Sequence, residues 1–130
     1  MNDSPAERLR RIAGKQTLRL THIGRKSGKA HQATIWFTTD GEKVFLVTEN
    51  VARNWVQNVK KTPQVKLSVG GEIFEGLARF VDNREEHERM MARMRDKYWI
   101  ARPLYAAGRV LTALGWVTDR SGSFEITLKP

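Results

Sequence analysis

The chain contains no cysteine. Disulfide frameworks, thiolate zinc sites, iron–sulfur clusters and thiol redox chemistry are therefore excluded, and a fold of this size has to be held by its apolar core. No segment approaches the run of roughly 20 apolar residues that a membrane-spanning helix needs. The start, Met1 to Gln16, is polar and basic with no apolar stretch of signal-peptide length, so a soluble cytoplasmic protein is expected. Internal repeats, low-complexity tracts and Pro/Ser-rich linkers are absent as well, which favours one compact unit. The expected organisation is a basic segment over 1–16, with a short helix in it, and a single domain over 17–130. A second core is not expected in 130 residues with 40% hydrophobic content.

Acidic residues are scarce relative to basic ones. The 23 Lys and Arg against 14 Asp and Glu give a net charge of +9, a balance that favours an anionic partner. Nucleic acid, an anionic membrane surface, and a small molecule bearing phosphates or carboxylates all satisfy it. A nucleic-acid-binding module is the weaker alternative, because no helix carries an Arg/Lys face long enough to track a groove. Peripheral contact of the basic start with a membrane stays open.

Hydrophobic periodicity supplies the elements. Residues Ala6 to Ala13 form a short helix, expected to be peripheral because Leu9 and Ile12 are its only sizeable apolar side chains. Strands are read at Thr17–Ile23, Gln32–Thr39, Lys43–Glu49, Gln64–Val69 and Glu72–Val81, with a last one where Phe124, Ile126 and Leu128 alternate. Asp40-Gly41 reads as a two-residue type I′ hairpin turn, and Gly70-Gly71 makes a second hairpin. Asn50 is positioned to cap a helix from Val51 to Lys61, and Asn83 with Glu86 makes a capping-box pattern ahead of a helix to about Trp99. A further helix opens at Pro103, striped by Leu104, Ala107, Leu111 and Leu114. Turn-linked strands without a strand–helix–strand rhythm predict an α+β fold: a six-stranded antiparallel barrel with flanking helices.

Few residues can carry chemistry. His22, His31 and His87 lack metal-site spacing and are read as structural; no carboxylate pair suits acid–base work, and no nucleophile elbow is present. The densest constellation is Gly24-Arg25-Lys26-Ser27-Gly28-Lys29, in a turn between two strands. Glycines allow successive N–H groups to converge, Arg offers a bidentate fork and Ser a hydroxyl, a set suited to phosphate. The same residues also describe a solvated basic hairpin loop, and spacing alone does not choose. A second constellation, Thr48-Glu49-Asn50 running into Arg53-Asn54-Trp55-Val56-Gln57-Asn58, joins a strand end to a helix start. Asn54 and Asn58 lie one turn apart and could face a heterocycle's edge, or only water. Trp55 shares a stripe with Val51 and Val59, so it reads first as a core anchor.

Taken in order, Leu20-Thr21-His22-Ile23-Gly24-Arg25-Lys26-Ser27-Gly28, Thr34-Ile35-Trp36-Phe37, Asn54-Trp55-Val56-Gln57-Asn58-Val59 and Pro63-Gln64-Val65 resemble the deazaflavin-dependent nitroreductase and quinone reductase family. The resemblance runs from about Thr17 to Val81 and weakens afterwards to general architecture. It implies an FMN-binding-type split β-barrel, usually a homodimer, that binds coenzyme F-420, or FMN or FAD. It implies that Arg25, Lys26 and Ser27 hold the cofactor's phosphate and acidic tail, that Thr34, Ile35 and Trp36 line its ring, and that Thr48, Glu49, Arg53, Asn54, Trp55 and Asn58 complete the pocket. Many members carry an Arg where this chain has His31, and a Gly-rich stretch where it has Thr48-Glu49-Asn50. The choice between F-420 and an ordinary flavin therefore stays open. Hydride transfer to a small electron-poor acceptor, a quinone or nitro compound, is the implied activity, with no catalytic side chain required because the cofactor carries the chemistry. A non-catalytic flavin or haem carrier on the same barrel is the alternative.

Overall fold

The computed structural model describes residues 4–98 and 120–129. The expected helix from Pro103 lies outside them. Six antiparallel strands close a barrel in the order β1-β2-β3-β6-β5-β4, as the hairpin pattern predicts. The strands are β1 (Thr17–Ile23), β2 (Ala30–Asp40), β3 (Lys43–Thr48), β4 (Gln64–Val69), β5 (Glu72–Phe80) and β6 (Gly122–Leu128). Three helices accompany them: α1 (Pro5–Ile12), α2 (Asn54–Lys61) and α3 (Arg84–Lys97).

The alternation read from the sequence sorts residues to the two faces. Leu18 and Leu20 of β1, Ile35 and Phe37 of β2, Val65 and Leu67 of β4, and Phe124 and Ile126 of β6 meet inside the barrel. Val56 and Val59 of α2 close the core on one side. Contrary to expectation, α1 is not peripheral. Leu9 and Ile12 are buried in this same core, so two apolar side chains suffice to seat the helix. Ser4 caps it by accepting from the Glu7 N–H. Its Arg8 and Arg11 both reach Glu72, at 2.9 and 3.0 Å, and these guanidiniums hold the Glu72 carboxyl below its ordinary value.

On the outside of the barrel, α3 covers β3, packing Met90 with Phe45 and Val81, and Met94 with Tyr98. Asn83 caps α3 through the Glu86 N–H at 3.0 Å. The capping box is only half made, because the Glu86 carboxylate turns instead to Arg79 at 2.7 Å. The first hairpin also differs from expectation. Asp40 pairs with Lys43, so Gly41 and Glu42 are the central residues, and only Gly41 has positive φ, at 61°. That is the type II′ sign pattern, which needs glycine at the first central position alone. Gly70 and Gly71 both have positive φ, as a type I′ turn requires.

Gly76 marks where β5 and β6 approach closest. A Cβ there would sit 2.7 Å from Ile126 Cγ2 and 2.8 Å from the Thr127 carbonyl oxygen. Backbone cannot yield as a side chain does, so Gly76→Ala is expected to cost about 1–3 kcal/mol. A denaturant midpoint equal to the parent's would show that the strands can part at no cost.

Candidate functional site

The turn between β1 and β2 folds on itself before it meets anything else. The Gly24 N–H donates to the Lys29 carbonyl at 2.8 Å and the Gly28 N–H to the Gly24 carbonyl at 2.9 Å, while Gly28 takes φ 71°. Ser27 Oγ accepts from the Lys29 N–H at 3.2 Å. A Cβ on Gly24 would lie 2.6 Å from Ser27 Oγ and 3.0 Å from His31 Nε2, so only glycine lets the hydroxyl and the imidazole come this close.

The folded turn is then clamped to α2. Lys61 Nζ donates to the Arg25 carbonyl at 2.9 Å. Asn58 Oδ1 accepts both the Arg25 N–H at 3.1 Å and the Arg25 Nη1 at 2.8 Å, and Asn54 Oδ1 accepts from Nη2 at 3.4 Å. The one-turn spacing of Asn54 and Asn58 therefore serves a guanidinium. With Oδ1 occupied by two donors, the other end of the Asn58 amide is its NH2, which lies 3.1 Å from Nδ1 of the buried His22. His22 Nδ1 accepts, and the ring proton sits on Nε2. The His31 ring stacks on His22 with centroids 5.8 Å apart. Burial pushes the His22 imidazole below its ordinary pKa, and the neighbouring His31 pushes the same way.

These groups open onto a cleft of ≈ 780 Å³, within the usual range of roughly 300–1,000 Å³ for a small-molecule site. The turn contributes Gly24, Arg25, Lys26 and Ser27 to its lining. β1 and β2 contribute His22, His31, Gln32 and Ala33, and the start of α2 contributes Ala52, Arg53, Asn54, Trp55 and Asn58. Three cationic side chains and no carboxylate line it.

The helix start differs from the sequence expectation. Asn50 does not cap a helix from Val51. Its Oδ1 accepts from the Ala52 N–H at 2.9 Å and its carbonyl from the Arg53 N–H at 3.2 Å, making a tight turn. Helix α2 begins at Asn54 with Arg53 as N-cap and no side-chain cap, so N–H groups at its uncapped end adjoin the cleft.

Of the twelve residues singled out from sequence, the structure brings Arg25, Lys26, Ser27, Arg53, Asn54, Trp55 and Asn58 to this cleft. Thr34, Ile35, Trp36, Thr48 and Glu49 are outside its lining. Ile35 is buried in the barrel core, while Thr34 and Trp36 face outward, Trp36 stacking on Tyr98 at 4.4 Å. Thr48 is buried and exchanges hydrogen bonds with the Asn50 backbone; Glu49 pairs with Arg53. Trp55 is half-buried, one side on the cleft and its ring 5.7 Å from that of Phe124, so it is core and lining at once. Sequence reasoning missed His22, His31, Gln32 and Ala33. A signal existed: in the β1–β2 hairpin His22 pairs with His31, so residues spaced evenly about the turn become neighbours.

Among the described residues no cluster of His, Asp or Glu could hold a metal ion, and no helix is long and apolar enough to cross a membrane.

Residues 2–109 match a protein family described as F420H(2)-dependent quinone reductase. No curated protein matches the chain. Solved structures share its fold. An F420-H2 dependent reductase superposes with a TM-score of 0.66 at 20% identity, covering 86% of this chain and 94% of that one. A conserved hypothetical protein from Mycobacterium tuberculosis gives 0.73 at 18% identity, covering 100% and 83%. HutZ, the haem storage protein from Vibrio cholerae, gives 0.65 at 17%, covering 98% and 92%. At these identities the likeness is one of split-barrel architecture.

Proposed function

The chain belongs to the F420H(2)-dependent quinone reductase family, and on that premise we propose that it is an oxidoreductase that binds reduced coenzyme F-420 in the β1–β2/α2 cleft and reduces a small electron-poor acceptor of the quinone class. The observation that carries this reading is the acid-free cationic cleft closed by the Gly24–Lys29 turn. The residues fit a phosphate-bearing cofactor. The Arg25 guanidinium and Lys26 ammonium supply charge, Ser27 a hydroxyl, and the uncapped start of α2 its N–H groups. Gly24 allows the turn to close tightly enough for these to converge.

When bound, the cofactor supplies the hydride; the chain binds, orients and shields it. Arg25, Lys26 and Ser27 hold its anionic part. Asn54 and Asn58 fix the direction of the Arg25 fork, and Trp55 presents a flat apolar wall backed by Phe124. Arg53, neutralised in part by Glu49, completes the positive rim. FMN and FAD also carry phosphate and are the alternative cofactors; nitro compounds are the alternative acceptors.

Separate titrations with F-420, FMN and FAD, read by tryptophan quenching because Trp55 lines the cleft, test the cofactor. F-420 is expected to bind most tightly, tighter binding of FMN or FAD would reassign it, and binding of none would overturn the reading. Reoxidation of reduced F-420 on addition of a benzoquinone tests the acceptor. Its absence with intact binding would favour a carrier instead of an enzyme. We further propose a homodimer, since Ile73 and Leu77 stand 63% and 51% exposed on the outer face of β5, apolar surface that a second copy would cover. Light scattering at micromolar concentration is expected to give twice the chain mass, and a monomer with full cofactor affinity would contradict it.

A further inference from the structure

The amide of Asn58 can satisfy its two neighbours in only one orientation. Oδ1 faces two N–H donors of Arg25, and Nδ2 faces Nδ1 of His22. An unprotonated Nδ1 completes this row of donors and acceptors. A proton on Nδ1 sets two donors against each other. Turning the amide over to relieve that contact would put its NH2 against the Arg25 donors instead. Either way one end of the row comes apart, and Asn58 is buried, so water cannot readily take the missing place.

We propose that His22 is a positioning residue which, through Asn58, sets the Arg25 fork, and that protonation of His22 releases this fork and weakens anion binding in the cleft. The inference rests on the cleft being the anion site. The groups facing His22 are His31 from β2 and Asn58 from α2; behind Asn58 stand Arg25 of the turn and Lys61 of α2. Lys26 and Arg53 line the same cleft, and no carboxylate does. Nothing there would hold an imidazolium in place. Burial and His31 already favour the neutral ring, which places the switch on the acid side of the ordinary histidine range.

The sign separates this relay from simple electrostatics. Added positive charge alone would tighten anion binding as pH falls. The relay loosens it.

The free full-length protein is followed by NMR from pH 8 to pH 5. The side-chain amide of Asn58 and the Nε–H of Arg25 are expected to shift with the same midpoint as the His22 ring. That coupling should vanish in His22→Asn, whose amide oxygen replaces Nδ1 without titrating. Sulfate, a tetrahedral dianion that keeps its charge over this range, serves as the anion probe. Its affinity is expected to fall roughly tenfold through the His22 midpoint in the parent, about what one charged hydrogen bond contributes. It should stay flat in His22→Asn, and be low and flat in His22→Leu. Independent titration of the three residues, or sulfate binding that tightens as pH falls, overturns the relay. F-420 and FMN are titrated at pH 8 in parallel. Coupled shifts without binding of either would leave the relay standing and remove the cofactor assignment.

Discussion

Arg25→Ala weakens binding of the preferred cofactor by about one to two orders of magnitude while the protein stays folded. Charge-assisted hydrogen bonds contribute roughly 1.5–3 kcal/mol each, and about 1.4 kcal/mol is a factor of ten in affinity. The guanidinium lies at the mouth of the cleft, and its contacts are polar ones to Asn54 and Asn58. Removing it leaves the backbone N–H of residue 25 still bonded to Asn58 Oδ1 and the turn's own hydrogen bonds in place. Loss of affinity is therefore not expected to be accompanied by loss of fold. Arg25→Lys should recover part of the loss, because it restores charge but not a planar fork able to meet Asn54, Asn58 and an anion together. The gap between the two variants measures geometry, as distinct from bulk charge. An Arg25→Ala protein that binds as tightly as the parent at physiological salt would reduce the turn to a solvated hairpin.

Phe124→Ala is expected to lower stability by about 3–5 kcal/mol, the range for an aromatic ring deleted from a packed core. The ring is 1% exposed and sits at the meeting of two layers, with Phe80 edge-on at 5.3 Å and Trp55 tilted at 5.7 Å. Domains are commonly stable by only about 5–15 kcal/mol, so this one change is a large fraction of the total. Trp55→Ala should cost less than Phe124→Ala, because the indole is only half-buried, but it should also weaken the cofactor quench signal and affinity. Denaturation midpoints for the two variants give the order directly. A larger loss for Trp55 would mean that the wall of the cleft, and not the barrel interior, dominates the core.

Most of the barrel was legible because strands with one buried face announce it by period-two alternation, as in Val65, Leu67 and Val69 or Phe124, Ile126 and Leu128. Two features were not legible. The burial of α1 depends on Leu9 and Ile12 finding a gap at the barrel's edge, which no local pattern reports. The start of α2 depends on Asn50 turning its side chain to Ala52, a short-range competitor to helix capping that the same residue type serves equally well. In the site, the cations of the turn stood out by density, and the family match over residues 2–109 extends well past Val81, where the motif likeness had faded. Thr34, Ile35 and Trp36 were drawn in by the resemblance, yet the cleft takes His31, Gln32 and Ala33 from the same strand. The twist and shear of a closed barrel decide which stretch of an eleven-residue strand meets the helix, and neither is written in local sequence.

The strand order has a consequence for how the chain reaches this state. Strand β6 lies between β3 and β5, and β1 closes on β4, so the barrel's seams join segments far apart in sequence. Loop-closure entropy must be met before such distant pairings return any free energy, and chains of this kind fold slowly for their size. During synthesis the β1–β2–β3 meander can form early, but β3 and β5 keep unpaired edges until residues 122–128 have left the ribosome. The nascent protein thus carries two sticky strand edges for most of its production, and its yield in the cell depends on how quickly its last seven-residue strand arrives to zip them shut.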